Sequence, residues 1–259
     1  MDFESIDKNR YERQMKLPFI EKDGQKVISK LRFLIFGAGA LGCSCAEYLT
    51  RAGVQFLRLV DKDVVEWSNL QRQHLFSEED AKNATPKAIA AKNRLEKINR
   101  HVQIEAKVLF VDASNIESLL DDVDAVIDAT DRLQERFLLN DVAVKHKLPW
   151  IYTAIQRGTS VWLPLTSTDT GPCLRCAFPE KPENEALNGG IWGPAVSMSA
   201  GMQVSQMIRF FIDGQIKTKS SVLSRMDLWD NHLIQIPIEK DPHCPCCVHR
   251  NFEFLEPSK

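Results

Sequence analysis

The sequence predicts an α/β protein built on a Rossmann-like, doubly wound, mostly parallel sheet with a C-terminal antiparallel extension. Three observations lead there. Short, nearly all-apolar runs alternate with amphipathic helical stretches through the first half of the chain. The glycine cluster GAGALG (37–42) stands directly between the first apolar run and the first helix of that series. Beyond Thr166 the rhythm changes to polar, proline-rich sequence, one apolar helix and two late strands.

RFLIF (Arg32–Phe36) is apolar almost throughout and ends in glycines, as a parallel strand buried on both faces should. Leu41 to Arg51 follows as a helix that Gly53 closes. FLRLV (Phe56–Val60) is the second strand and runs into Asp61. The next helix follows Pro86, with Thr85 as its N-cap, Pro86 at the first helical position and Ile89, Leu95 and Ile98 as its apolar stripe. A strand near Val102–Val108, a short helix near Ile116–Leu120, the buried strand DAVIDAT (124–130), a helix over Leu133–His146 and the strand PWIYTA (149–154) complete the βαβ series. Such a sheet places ligands at the C-terminal ends of its strands. Thr166 to Pro194 reads as a long crossing loop. Ala195 to Ile212 reads as an apolar helix whose Met198, Met202 and Met207 fill core space. SVLSRMDLW and HLIQIPI read as an antiparallel pair. The chain thus divides into an N-terminal helical arm (1–30), a Rossmann-like nucleotide-binding part (31–165), and a crossover loop, helix, strands and cysteine-bearing tail of the same domain (166–259).

The 259 residues are 44% hydrophobic and 26% charged, the composition of a globular protein that buries a core. A formal net charge of -2 supplies no electrostatic footprint for nucleic acid or an anionic membrane. No apolar run approaches the roughly 20 residues that cross a bilayer. The polar start MDFESIDKNRYERQ lacks the apolar stretch of a secretory signal. The expectation is a cytoplasmic protein with neither a membrane nor a nucleic-acid partner.

GAGALG supplies Gly37, Gly39 and Gly42 at the mouth of a helix. One glycine makes a tight turn, one lets backbone amides approach phosphate, and one permits close helix–strand packing. Asp61, 19 positions beyond Gly42, offers a carboxylate to ribose hydroxyls. The pattern calls for an adenine nucleotide and by itself leaves NAD and ATP both open.

After Asp61 the chain runs DKDVVEWSNLQRQHLF and then Thr85, Pro86, Lys87. An early RYxRQ is present as Arg10, Tyr11, Glu12, Arg13 and Gln14, SNLQRQ as Ser68 to Gln73, and a later TD pair as Thr130 and Asp131. With the glycine loop, these motifs resemble the ThiF/MoeB/HesA family of ubiquitin-activating-enzyme-like adenylyltransferases, closest to the branch that adenylates sulfur carriers for molybdopterin and thiamine synthesis. The resemblance covers nearly the whole chain. It implies ATP-dependent adenylation of the C-terminal Gly-Gly carboxylate of a ubiquitin-like sulfur-carrier protein, giving an acyl adenylate and pyrophosphate. It also implies a nucleotide site of Gly37, Gly39, Ala40, Gly42, Asp61, Asp63, Ser68, Asn69, Leu70, Gln71, Arg72, Lys87, Asp131 and Arg132. In that scheme Arg72 and Lys87 contact the triphosphate, Asp131 holds Mg2+, and Arg13 reaches the ATP of the partner subunit of a homodimer. These residue types suit a reaction governed by positioning and by neutralising phosphate charge. Three departures stand out: Ala40 where molybdopterin-type relatives usually have glycine, Arg132 where asparagine is common, and an apparently shortened junction at Ile155–Gly158.

The seven cysteines are Cys43, Cys45, Cys173, Cys176, Cys244, Cys246 and Cys247. In a cytosolic protein they are expected to be reduced. Cys173 with Cys176, and Cys244 with Cys247, form two CxxC pairs that can complete a four-thiolate Zn2+ site. The same arrangement closes the fold in the resembling family. Cys246 is left over as a free thiol, and Cys43 and Cys45 read as small buried packing residues. Ubiquitin-activating relatives carry a reactive cysteine near the crossing loop, yet none lies here between Cys176 and Cys244. Adenylation without a thioester on this chain is therefore expected, with sulfur supplied by a separate sulfurtransferase or cysteine desulfurase.

Rival readings explain fewer residues. An NAD-dependent oxidoreductase leaves SNLQRQ, Lys87 and the CxxC pairs without a role. A relative that activates a carboxylate on tRNA or a peptide is a second alternative, with RYxRQ and the zinc cysteines against the tRNA type. A non-catalytic partner subunit would be expected to lose Arg72, Lys87 or Asp131, and all three are present.

Overall fold

Alternation along the first strand fixes the layering. A computed structural model describes residues 8–166, 169–179, 189–213 and 220–256. In β1 (Arg32–Phe36), Phe33 and Ile35 enter one core while Leu34 and Phe36 enter another on the opposite face. A strand buried on both sides must be apolar throughout, which is why RFLIF reads as a continuous run. The chain begins with α1 (Lys8–Met15) and α2 (Glu21–Ile28), and β1 is followed by α3 (Ala40–Ala52), β2 (Phe56–Val60), α4 (Glu78–Lys82), α5 (Lys87–Ile98) and β3 (Gln103–Lys107). Next come β4 (Ala125–Asp128), α6 (Leu133–His146), β5 (Trp150–Gln156), β6 (Thr159–Leu165) and α7 (Leu174–Ala177). The chain ends with α8 (Gly193–Ile212), β7 (Ser220–Asp227) and β8 (His232–Glu239).

All eight strands form one sheet in the order β3-β2-β1-β4-β5-β6-β7-β8. The first five are parallel, and β6, β7 and β8 continue antiparallel. Strand order reverses direction between β1 and β4, the switch point at which doubly wound sheets open a crevice.

The N-terminal segment, expected as an arm, is docked on the body. Gln25 Nε2 donates to the Ala52 carbonyl at 3.0 Å, and Asn99 Nδ2 donates to the buried Tyr11 hydroxyl at 2.8 Å. Gly53 caps α3 in the left-handed region (φ 83), where a Cβ would strike the Tyr11 ring.

Several local expectations need correction. Thr85 is not the N-cap of α5. Pro86 itself caps it (φ -55, ψ 131) and bridges to Val64, so the helix starts at Lys87. Of the expected stripe on α5, Leu95 is buried and Ile98 packs against the core, while Ile89 is not part of that core; Lys87, Ala88, Ala90 and Ala91 complete the buried face, because α5 lies close against β3, β2 and α3, where small residues fit. β6 was not anticipated. β5 runs on to Gln156 and turns through Arg157 (φ 58) and Gly158 straight into β6, so the short Ile155–Gly158 junction is a tight hairpin. The crossing loop contains α7, and its later part lies along that hairpin, with Arg157 N donating to Gly190 O and Trp192 N to Arg157 O. Residues 167–168 and 180–188 of that loop fall outside the described residues. Among the described residues no helix is long and apolar enough to cross a membrane.

Candidate active site and metal centre

A cavity of about 790 Å³ opens at the carboxyl ends of β1, β2, β4 and β5. Its floor is the glycine loop. Gly37 has φ 101, and a Cβ there would lie 2.6 Å from the Ala129 carbonyl, so only glycine lets β1 turn beside the end of β4. Gly42 does not line the cavity. A Cβ on it would overlap the Gly37 carbonyl, so its part is to seat α3 against the strand. Gly39 and Ala40 do line it. No side chain caps the N-terminus of α3, which leaves its first-turn amides and positive dipole end for an anion.

Asp61 braces this floor. Its Oδ2 accepts from Ala38 N at 2.7 Å and its Oδ1 from Asp63 N at 2.8 Å. Burial pushes its carboxyl above the usual range, partly offset by those two N–H groups. Beside it, the Lys87 ammonium, 8% exposed as a residue, stands 3.2 Å from Asp63 Oδ2. Burial raises Asp63, but the charge and hydrogen bond of Lys87 outweigh it and hold the carboxyl below its ordinary value.

SNLQRQ folds as a 3-10 turn at Trp67–Asn69. Asn69 Oδ1 accepts from Glu66 N at 3.1 Å, and Arg72 Nη1 donates to Ser68 O at 2.9 Å. The turn brings Ser68, Asn69 and Arg72 to the cavity. Leu70 and Gln71 do not reach it: Leu70 packs against the core and Gln71 lies in solvent, because successive residues of a tight turn face different ways. Arg13 is exposed on α1 and does not line the cavity of its own chain.

The opposite wall rises from β4 and α6. Asp128 is fully buried, with Oδ1 accepting from Thr130 N (3.1 Å) and Oγ1 (2.8 Å) and Oδ2 lying 3.4 Å from Arg136 Nε. Arg136 Nη2 donates to Thr130 O (2.7 Å) and Thr153 O (3.0 Å). These bonds fix the backbone just before Asp131, whose exposed side chain borders the cavity with Arg132 and Glu135. Burial pushes Glu135 up to about 7, the carboxylates of Asp131 and Asp128 adding to the shift and Arg132 opposing it.

Sequence reasoning missed Gln73, Glu135 and Arg136. Gln73 closes the SNLQRQ motif, lies 4% exposed on the cavity wall, and its Oε1 has no hydrogen-bond partner among the described residues. Arg136 lies one helical turn beyond Arg132, a spacing that could have flagged it. Five lining cations (Lys62, Arg72, Lys87, Arg132, Arg136) face five lining carboxylates (Asp61, Asp63, Glu66, Asp131, Glu135). The cavity of one chain therefore carries no formal excess of positive charge for a triphosphate.

The cysteine pairs converge as their spacing predicts. The Sγ atoms of Cys173, Cys176, Cys244 and Cys247 all lie within 4.8 Å of one another, with Cys173–Cys244 and Cys176–Cys247 at 3.6 Å. Four thiolates held about 2.3 Å from one Zn2+ would stand about 3.8 Å apart, so this donor set fits the ion. Four thiolates this close would repel one another, and a dication bound among them would relieve that repulsion. Cys246 is fully buried beside them. Cys43 and Cys45 are buried packing residues whose thiols burial pushes up.

A Rossmann-like sheet with a nucleotide-sized cavity at its switch point and a separate four-cysteine centre defines an α/β nucleotide-binding class of protein. The chain belongs to the ThiF family, whose model matches residues 11–246. It is 38% identical, over 95% of its own length and 73% of the relative's, to the sulfur carrier protein ThiS adenylyltransferase of Bacillus subtilis. It is 32% identical to the molybdopterin-synthase adenylyltransferase of Escherichia coli, over 92% of this chain and 95% of that protein. The crystal structure of E. coli MccB with ATP shares the fold at a TM-score of 0.78 and 20% identity, covering 93% of this chain and 75% of that one.

Proposed function

We propose that this protein is an ATP-dependent adenylyltransferase acting on the C-terminal Gly-Gly carboxylate of a ubiquitin-like sulfur-carrier protein. The observation that carries the reading is the meeting of the glycine loop, Arg72, Lys87 and Asp131 around one cavity at the switch point. Relatives named for carrier adenylation, similar over nearly the whole chain, support it.

In the proposed reaction a carboxylate oxygen of the carrier attacks the α-phosphorus of ATP. The bond from that phosphorus to the bridging oxygen breaks, pyrophosphate leaves with the electron pair, and no proton is transferred. The amides at the start of α3 receive phosphate oxygens, Asp61 accepts from the ribose hydroxyls, and Arg72 and Lys87 neutralise charge as it moves toward the leaving group. Lys87 uses one of its three ammonium donors on Asp63, which leaves the others for phosphate oxygens. Asp131 would hold Mg2+, its carboxylate having no hydrogen-bond or ion-pair partner among the described residues and standing on backbone fixed by Asp128 and Arg136. Mg2+ would supply charge neutralisation between phosphate oxygens. The charge balance of the lining calls for positive charge from outside this chain, and Arg13 of a second copy is the proposed source. The reading includes adenylation without a thioester on this chain, on the ground that the sequence holds no cysteine between Cys176 and Cys244, with sulfur coming from a separate donor.

Pyrophosphate exchange tests the reading. Labelled pyrophosphate should enter ATP only when Mg2+ and a carrier ending in Gly-Gly are present, and parallel assays with thiamine-type and molybdopterin-type carriers identify the pathway. Carrier-independent exchange, or none with either carrier, would overturn it.

A further inference from the structure

Helix α6 has two polar ends of business. Its first turn, Leu133–Arg136, borders the nucleotide cavity. One turn later comes Asn140, fully buried, with both ends of its side-chain amide engaged. Oδ1 accepts from the backbone N–H of Leu174 at 2.8 Å, and Nδ2 donates to Cys246 Sγ at 3.3 Å. Leu174 directly follows Cys173, and Cys246 lies between Cys244 and Cys247, so this one amide spans both CxxC pairs. Its two partners are not themselves among the four clustered cysteines, but each lies inside the span of one pair, so the amide holds the two knuckle turns to one helix. Residues that orient metal ligands from outside the coordination sphere commonly set metal affinity.

We infer that Asn140 is a positioning residue that locks the two cysteine pairs in register and passes metal occupancy through α6 to the nucleotide cavity. The path is short. The amide fixes α6 to both knuckles, and one turn earlier Arg136 fixes the same helix to Asp128, Thr130 and Thr153 beneath Asp131. With the knuckles held by metal, α6 cannot shift along its axis without breaking bonds at both places. The second half of the inference, coupling to the cavity, rests on the proposed function; the first half does not.

The test is zinc affinity, measured by competition with a chromogenic chelator, with and without ATP, on wild-type protein, Asn140→Ala and Asn140→Asp. Asn140→Ala should bind zinc about 10- to 100-fold more weakly with all four ligands intact. Asn140→Asp keeps the acceptor for Leu174 and loses the amide donor to Cys246, so it should fall between. ATP should strengthen zinc binding in the wild type several-fold, zinc should strengthen ATP binding by the same factor, and that factor should approach one in Asn140→Ala. As a control for general destabilisation, Gln203→Leu removes another buried amide, one whose partners lie away from the zinc cysteines, and should leave zinc affinity unchanged. Wild-type zinc affinity in Asn140→Ala overturns the assignment; if that variant does not fold, wild-type affinity in Asn140→Asp overturns it instead. ATP that binds the wild type and leaves zinc affinity unchanged, or strengthens it equally in the variant, overturns the coupling. Failure of ATP to bind the wild type, read by calorimetry, would defeat the proposed function while zinc affinities still decide the role of Asn140.

Discussion

Gly37, Gly39 and Gly42 look interchangeable in GAGALG, yet the structure gives them unequal constraints. A Cβ at Gly42 would overlap the Gly37 carbonyl, whereas one at Gly39 would meet nothing nearer than Gln73 Nε2 at 3.8 Å. Gly42→Ala should therefore destabilise the fold by about 1–3 kcal/mol, the usual cost of overpacking, while Gly39→Ala should leave the melting temperature nearly unchanged. Equal melting temperatures for the two variants would contradict this packing account. Glu135 is a second residue-scale case. Burial pushes its folded carboxyl up to about 7 from an ordinary value of 4.5, so the folded state holds the proton more tightly than the unfolded chain. The stability it contributes is complete below 4.5 and is lost as pH rises through about 7. Glu135→Gln should gain stability relative to wild type as pH goes from 5 to 8 in nucleotide-free protein, read by denaturant titration; a gain that does not grow with pH would refute it. Its negative neighbours Asp131 and Asp128 are close in the sequence, but the burial that dominates the shift comes from chain folded around it.

At the scale of elements, α8 shows how much of a helix is visible in its letters. Its apolar content marks a buried helix and places Met207 in the core. The polar exception, Gln203, has a part that only packing reveals. Its Nε2 donates to the carbonyls of Asp128 and Ile151, both at 3.0 Å, tying α8 to β4 and β5 beside the cavity, while its Oε1 lies 3.2 Å from Cys45 Sγ. Gln203→Leu should lower stability by about 1–3 kcal/mol through lost hydrogen bonds in the interior, and a denaturation midpoint equal to wild type would contradict it. The β-elements divide in the same way. β1, β2 and β4 are legible because both faces are largely buried and the runs are apolar apart from Arg32, Arg58 and Asp128. β6 was missed because TSVWLPL mixes polar residues and a proline and has its strand character fixed by pairing with β5 and β7. In α5 the apolar stripe identified Leu95 and Ile98 as core-facing but not the alanines beside them, whose close approach to the sheet completes the buried side.

At the scale of the molecule, two closures remain to be tested, and each has a measurable signature. Removing Zn2+ with a chelator should lower the melting temperature and expose four titratable thiols that are slow to react in the metal-loaded protein, because the centre joins α7 to the C-terminal tail. An unchanged melting temperature with chelator present would count against a structural metal. The second closure is between copies. If Arg13 of one subunit serves the cavity of the other, mixing Arg13→Ala with Arg72→Ala protein should restore about a quarter of wild-type sites, since half of random dimers are mixed and each holds one intact site. Activity that stays at the level of the separate variants would overturn a role for Arg13 in the cavity of the other subunit.

The sequence by itself determined the βαβ order, the glycine loop with its acid, and the pairing of CxxC units. Each is a local pattern whose meaning follows from backbone geometry or ligand spacing within a few residues. Only the tertiary structure decided that Leu70 and Gln71 turn away from the cavity while Gln73, Glu135 and Arg136 border it, and that Asn140 bridges the two cysteine pairs. Those facts depend on residues far apart in the chain arriving at one place. Burial and facing direction are properties of the packed whole, and no short stretch of sequence encodes them alone.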